Sequence, residues 1–203
     1  MKIICIGRNY REHAGELNNP VPAEPVIFLK PETAFLKSNQ PFFLPKFAND
    51  FHYEVEILVR INRLGKNIEE RFAHRYYEEI GVGIDFTARD LQDELKKKGL
   101  PWEKAKGFDH SALMSEFVPK SRYVNLQNIG FSLKINDEVK QIGRTSDMIF
   151  SIDSIIAYVS QFFTLKIGDV IFTGTPAGVG KLNVNDQLEL FIEDELMAKC
   201  KIK

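Results

Sequence analysis

The chain has 203 residues, 27 of them basic and 28 acidic, and its formal net charge of -1 lacks the excess of cations that a nucleic-acid partner requires. A hydrophobic content of 44% supplies a substantial core and excludes wholesale disorder. The length favours one domain, residues 1–203, over two small ones.

The chain opens with an apolar run, Lys2 to Ile6, which reads as a strand ended by Gly7. In the opening MKIICIGRNY this run is shorter than a signal peptide's apolar core. Arg8 to Leu17, RNYREHAGEL, is polar and fits a helical turn or an ordered loop; Asn18 to Glu24 carries Pro20 and Pro22 in a turn. Val26 to Leu29 is a short apolar run that Lys30-Pro31 ends, and Pro41 and Pro45 mark Gln40 to Asp50 as a connecting loop.

Glu54 to Ile61 reads as a strand. Ile68 to Arg75 is helix-like, with a continuation toward Glu79, and Ile80 to Phe86 is a buried strand loosened by Gly81 and Gly83. Thr87 to Lys98 is the next helix, with Thr87 as its cap and Asp90 three residues on; Gly99 and Pro101 end it. Lys96 to Lys98, the densest basic run, complements the dipole at that helix's C-terminus and reads as a solvated face.

Beyond Ser115 the signals are mainly β: Phe131 to Ile135, Glu138 to Gln141, Asp169 to Phe172 and Leu188 to Ile192. Asn136-Asp137 suits a hairpin turn, and Ser151 to Phe163 is a helix between strands. No apolar stretch approaches the roughly 20 residues that span a bilayer. Two cysteines, Cys5 and Cys200, suggest neither a disulfide framework nor a structural zinc site. The expectation is a cytoplasmic, β-rich α+β domain with a few short helices and a folded-over sheet or partial barrel, with no nucleic-acid or membrane partner.

Chemistry concentrates in HYEVEIL, His52 to Leu58. Glu54 and Glu56 share strand parity, about 7 Å apart, and two anions on a partly covered face repel and resist desolvation. Asp85, at the end of IGVGID, is the third carboxylate, and an oxygen-only set suits Mg²⁺ or Mn²⁺. The residues alone leave a second reading open, in which the glutamates face solvent and Asp85 sits near a helix start. His13 and Glu16, three apart, could meet on one helical face as a general base and its orienting carboxylate. His52 shares the glutamates' parity and reads as structural, His74 as solvated, and His110 has no evident partner. Thr173 to Lys181, TGTPAGVGK, fails both the P-loop and the G-x-G-x-x-G patterns. It suits either a tight turn or a cradle for a substrate carboxylate.

Six stretches in order, GRNYREHAGEL, FLKPETAF, HYEVEI, GIDFTARDLQDELKKKGLPWEKAKGFD, TSDMIFSI and TGTPAGVG, resemble the fumarylacetoacetate hydrolase family. They are similar in particular to its short branch of acylpyruvases, oxaloacetate decarboxylases and hydroxyhepta-dienedioate isomerases. The resemblance implies a β-rich α+β fold with a mixed, folded-over sheet core, assembled as a homodimer. It implies one Mg²⁺ or Mn²⁺ held by Glu54, Glu56 and Asp85, and a water-activating dyad, His13 and Glu16. Lys106 matches the family lysine near the metal, Arg89 and Gln92 match polar residues beside the substrate, and Thr175 a contact to its carboxylate. Asp147 in Ser146-Asp147-Met148 replaces the commoner Ser or Asn. The activity implied is hydrolysis of an acylpyruvate, a small 2-oxo acid, with oxaloacetate decarboxylation beside it. The alternative is a hydroxyhepta-dienedioate isomerase or decarboxylase.

Overall fold

Strand patterning along the chain builds one large sheet first. The structure, a computed structural model, describes residues 1–12 and 21–203. Eight strands form the main sheet: β1 (Ile3–Gly7), β2 (Val26–Lys30), β3 (Phe35–Lys37), β5 (Val55–Ile61), β6 (Tyr77–Asp85), β8 (Ala112–Met114), β9 (Val118–Pro119) and β12 (Val170–Phe172). Their order is β2-β1-β12-β5-β6-β8-β3, with β9 also on β6. The β1–β12 and β3–β8 pairs are parallel and the others antiparallel, so the sheet is mixed.

An antiparallel sheet orders β11 (Glu138–Arg144), β10 (Gly130–Ile135), β14 (Gln187–Ile192) and β15 (Glu195–Lys201). A small third sheet joins β13 (Gly180–Lys181), β4 (Phe51–Tyr53) and β7 (Thr87–Ala88). Among the described residues the helices are α1 (Glu70–Ala73), α2 (Arg89–Lys97), α3 (Glu103–Lys106) and α4 (Ile152–Phe162). None is long and apolar enough to cross a membrane. The β-rich α+β class and the curled, mixed sheet expected from the sequence are both present.

The main sheet is buried on both faces. One cluster runs from Ile4, Val55 and Ile57 through Leu133 and Leu190 to Ile155 on α4; a second, with Ile3, Cys5, Leu58 and Phe172, covers the other face. Each such side chain contributes roughly 1.5–3 kcal/mol by leaving water. Leu58 therefore explains why period-2 alternation fades along β5: both faces of that strand need apolar groups.

Several boundaries differ from the sequence reading. The strand at HYEVEIL is two strands, β4 and β5, broken at Glu54, whose carbonyl accepts from Asp85 N at 2.9 Å. The helix expected at Ile68 to Arg75 shrinks to α1, because Tyr77 is 2% exposed and begins β6. Helix α2 starts at Arg89 with no side-chain cap, since Thr87 lies in β7. Two expectations fit closely: the helix read over Ser151 to Phe163 is α4, which Ser151 Oγ caps by accepting from Ser154 N, and Asn136-Asp137 turns the β10–β11 hairpin with φ of 52° and 67°.

Candidate active site

The β5–β6 pairing sets Val55 against Ile84 and Glu56 against Gly83. A Cβ at Gly83 would stand 2.3 Å from Leu113 O, so only glycine lets β8 close against β6 here. The break at Glu54, the β5 position of Glu56 and the β6 terminus at Asp85 then converge. One carboxylate oxygen from each lies within 4.8 Å of the others, and all three side chains are buried.

Buried cations face this cluster. Lys106, at the end of α3, donates to Glu54 Oε2 and Asp85 Oδ2 at 2.7 Å each and to Thr87 Oγ1 at 2.6 Å. The hydroxyl expected to cap a helix is thus occupied by Lys106. Lys30, from β2, pairs with Asp85 Oδ1 at 2.7 Å and donates to Ser111 O and Ser111 Oγ at 3.0 Å and to the Lys106 carbonyl. Arg89 opens α2, donates to Glu54 Oε1 and reaches Gln92 Oε1 at 2.6 Å.

Three cations thus answer three carboxylates in number but not in position. Among the described residues no cationic side chain pairs with Glu56, whose Oε2 accepts only from Gly174 N, at 2.6 Å. Burial pushes the Glu56 carboxyl well above its usual range, and the charges of Asp85 and Glu54 push the same way. Burial pulls the Lys106 ammonium down, yet Asp85 and Glu54 outweigh it and the net displacement is upward. Lys106 therefore stays cationic. A set of buried carboxylate oxygens with one uncompensated member fits a hard divalent cation at Glu54, Glu56 and Asp85.

The TGTPAGVG stretch packs onto the same cluster. Gly174, at φ +104°, brings its N–H to Glu56, and Thr175 lines the cavity beside the carboxylates. Gln141 of β11 braces this loop: its Nε2 donates to Thr175 Oγ1 and Pro176 O at 3.0 Å, and its Oε1 accepts from Val55 N at 2.9 Å. Asn9 ties the loop to the N-terminal strand, donating to Thr173 O at 2.7 Å. The cavity, about 30 Å³, is lined by Glu54, Glu56, Asp85, Arg89, Gln92, Lys106 and Thr175, with Arg8, Phe28, Lys96 and Trp102 around them.

Seven of the nine residues singled out from sequence thus meet at one cavity. His13 and Glu16 lie outside the described residues. His52 is half-buried at the edge of the group, its Nδ1 3.5 Å from Arg89 Nε and its Nε2 3.2 Å from Asp50 Oδ2. Burial and then the Arg89 charge lower its pKa. His74 and His110 are exposed. Lys96 departs from the solvated-face reading, since it is half-buried at the cavity wall while Lys97 and Lys98 are exposed.

Residues 2–201 match the family described as fumarylacetoacetate (FAA) hydrolase C-terminal. The chain belongs to the fumarylacetoacetate hydrolase family. It is an enzyme of that family, and it is 44% identical over 201 residues to the mitochondrial oxaloacetate tautomerase FAHD1 of Bos taurus, covering 99% of this chain and 91% of the relative. The oxaloacetate tautomerase YcgM of Escherichia coli is 45% identical over 188 residues, 92% of this chain and 86% of its own. The structure of fumarylpyruvate hydrolase from Pseudomonas aeruginosa, in complex with Mn²⁺ and pyruvate, superimposes with a TM-score of 0.94 at 31% identity, covering 100% of this chain and 89% of that one.

Within this fumarylacetoacetate hydrolase fold, sequence reasoning missed Lys30, Gln141 and Asn9. Lys30 left one signal, a lysine continuing an apolar run directly before proline. Gln141 and Asn9 left none, because their partners lie 34 and 164 residues away in the chain.

Proposed function

We propose that the chain is a Mg²⁺- or Mn²⁺-dependent enzyme of 2-oxo acids that interconverts the keto and enol forms of oxaloacetate. The observation carrying this reading is the trio of buried carboxylates within 4.8 Å of one another beside Lys106. Glu54, Glu56 and Asp85 would hold one divalent cation. Such an ion is a Lewis acid and favours negative charge on the 2-oxo oxygen of a substrate. The names of the bovine and E. coli relatives support oxaloacetate, and the Mn²⁺ and pyruvate of the Pseudomonas structure support a metal and a 2-oxo acid.

Keto–enol exchange moves one proton between C3 and the 2-oxo oxygen. Lys106, whose Nζ lies 2.7 Å from Glu54 Oε2 and Asp85 Oδ2, would bring an ammonium to the site that can balance negative charge developing on that oxygen. Thr175 would receive the C1 carboxylate, and Arg89 with Gln92 would orient the carbon chain. His13, oriented by Glu16, is assigned the C3 proton in this reading. The reading treats residues 1–203 as one catalytic domain that works as a homodimer.

Likeness to a fumarylpyruvate hydrolase favours a second reading, hydrolysis of acylpyruvates with oxaloacetate decarboxylation beside it. His13 would then activate a water that attacks the distal carbonyl, cleaving the C–C bond to release pyruvate and a carboxylic acid. The test is a panel of oxaloacetate, acetylpyruvate and a hydroxyhepta-dienedioate with Mg²⁺ and again with chelator. Tautomerisation of oxaloacetate should be fastest and should vanish with chelator. Faster acetylpyruvate cleavage would put hydrolysis first, and chelator-resistant turnover would remove the metal. In the hydrolytic reading, His13→Ala should slow acetylpyruvate cleavage ~10²–10⁴-fold and spare oxaloacetate decarboxylation, which needs no water.

A further inference from the structure

Arg89, Gln92 and Lys96 stand at i, i+3 and i+7 on α2, so they share one helical face, and all three line the cavity. Lys96 is half-buried, with its ammonium 5.6 Å from the centre of the Trp102 ring. Arg89 and Lys106 are committed to Glu54 and Asp85. Lys98, two positions on, pairs with Glu94. Among the described residues no carboxylate pairs with Lys96. Burial, and then the neighbouring Arg89 charge, pull its pKa down.

We propose that Lys96 receives the second carboxylate of the substrate, so that the site selects 2-oxo acids carrying two carboxylates. This deepens the 2-oxo acid reading and rests on it. The C1 carboxylate and 2-oxo group belong at the Glu54, Glu56 and Asp85 end, so a distal carboxylate lies farther along the cavity. Seven residues of helix place the Lys96 Cα about 10 Å from that of Arg89. Helical side chains lean toward the N-terminus, which brings the Lys96 stem back toward Gln92 and shortens that span. The Trp102 ring covers one side of the Lys96 ammonium, and a less solvated position strengthens a charge pair.

The test compares malate with lactate, two hydroxy acids that share one end and differ in the second carboxylate. Each is titrated calorimetrically into Mg²⁺-loaded protein. Wild type should bind malate about tenfold tighter, the scale of one partly desolvated charge pair. Lys96→Met should lose that preference with lactate affinity unchanged, and Lys96→Arg should restore most of it. The KM for oxaloacetate should rise about tenfold in Lys96→Met with kcat within about threefold, while the KM for acetylpyruvate holds. Wild type that binds malate no tighter than lactate, whether both bind or neither does, overturns the proposal; so does a Lys96→Met variant that keeps the preference. A wild-type protein that keeps the preference yet turns over no 2-oxo acid fails the functional reading and not this one.

Discussion

Lys106 Nζ sits 2.7 Å from Asp85 Oδ2, and the same ammonium lies 2.7 Å from Glu54 Oε2. One buried cation thus joins two carboxylates that would otherwise repel. Removing one partner of such a buried group costs roughly 3–5 kcal/mol, because the charge left behind stays desolvated. Lys106→Met keeps much of the stem, so metal-free Lys106→Met should lose about 3 kcal/mol in urea titration. Mg²⁺ should then stabilise the variant more than it stabilises wild type, since the ion supplies the missing positive charge. At saturating Mg²⁺ turnover should still fall about tenfold or more, or about 1.4 kcal/mol of transition-state stabilisation. Turnover near wild type would take Lys106 out of the chemistry.

Glu56 gives the opposite signature. It pairs with no cation among the described residues, and its carboxyl is pushed up by burial and by its two acidic neighbours. Glu56→Gln removes that repulsion, so the metal-free variant should melt at or above the wild-type temperature. The same change removes an anionic ligand, so the rise in melting temperature with Mg²⁺ or Mn²⁺ should shrink. A variant with the full wild-type Mg²⁺ response would exclude Glu56 as a ligand.

Local pattern revealed the elements whose two faces differ, and failed where tertiary contacts decide. The hairpin at Asn136-Asp137 and the helix that begins at Ser151 are set by local pattern, and both were legible. Thr87 looked like a cap because its spacing to Asp90 is right, but Lys106 draws its hydroxyl into the site. The break at Glu54 was hidden because Tyr53 and Val55 keep alternation going across it. The carboxylate cluster itself was half-legible: the residues left two readings open, and the ordered family stretches favoured a cation site. Lys96 was hidden inside a basic run whose other members are solvated.

The two thiols should be inert in the folded protein. Burial pushes Cys200 up to about 11, and burial followed by the Asp85 charge pushes Cys5 well above the usual thiol range. Thiolate is the reactive form, so at pH 8 roughly one Cys200 in 10³ is reactive. A thiol reagent at pH 8 should label neither cysteine rapidly in native protein and both after denaturation. The folded thiol holds its proton longer than the unfolded one, so its stabilising contribution is full below the unfolded pKa and falls as pH rises toward 11. Cys200→Ala should accordingly show a shallower loss of stability across that alkaline range. Rapid native labelling of Cys200 would contradict its burial.

Gly174 links the glycine-rich loop to the carboxylates, and a pair of alanine substitutions separates that link from simple backbone strain. Its φ of +104° is costly for any residue with a Cβ, and an added Cβ would stand 2.6 Å from Asn9 Cβ. Asn9 has little room to yield. Its Nδ2 donates to Thr173 O at 2.7 Å and to Phe150 O at 3.0 Å, and its Oδ1 accepts from Phe150 N at 2.8 Å. The loop must therefore shift, taking with it the Gly174 N–H that Glu56 accepts from and the adjacent Thr175. Gly168 is the control: its φ is +87°, and a Cβ there meets nothing within 4 Å. Gly168→Ala should cost about 1 kcal/mol of stability through strain alone and leave the Mg²⁺ response at the wild-type level. Gly174→Ala should cost about 1–3 kcal/mol from strain plus the clash, and should also weaken Mg²⁺ affinity and raise the KM for a 2-oxo acid. Urea titrations with and without Mg²⁺ read both terms on the two variants. If Gly174→Ala keeps the wild-type Mg²⁺ response, the loop serves only as a turn, and its hydrogen bond to Glu56 does not hold the carboxylate for metal.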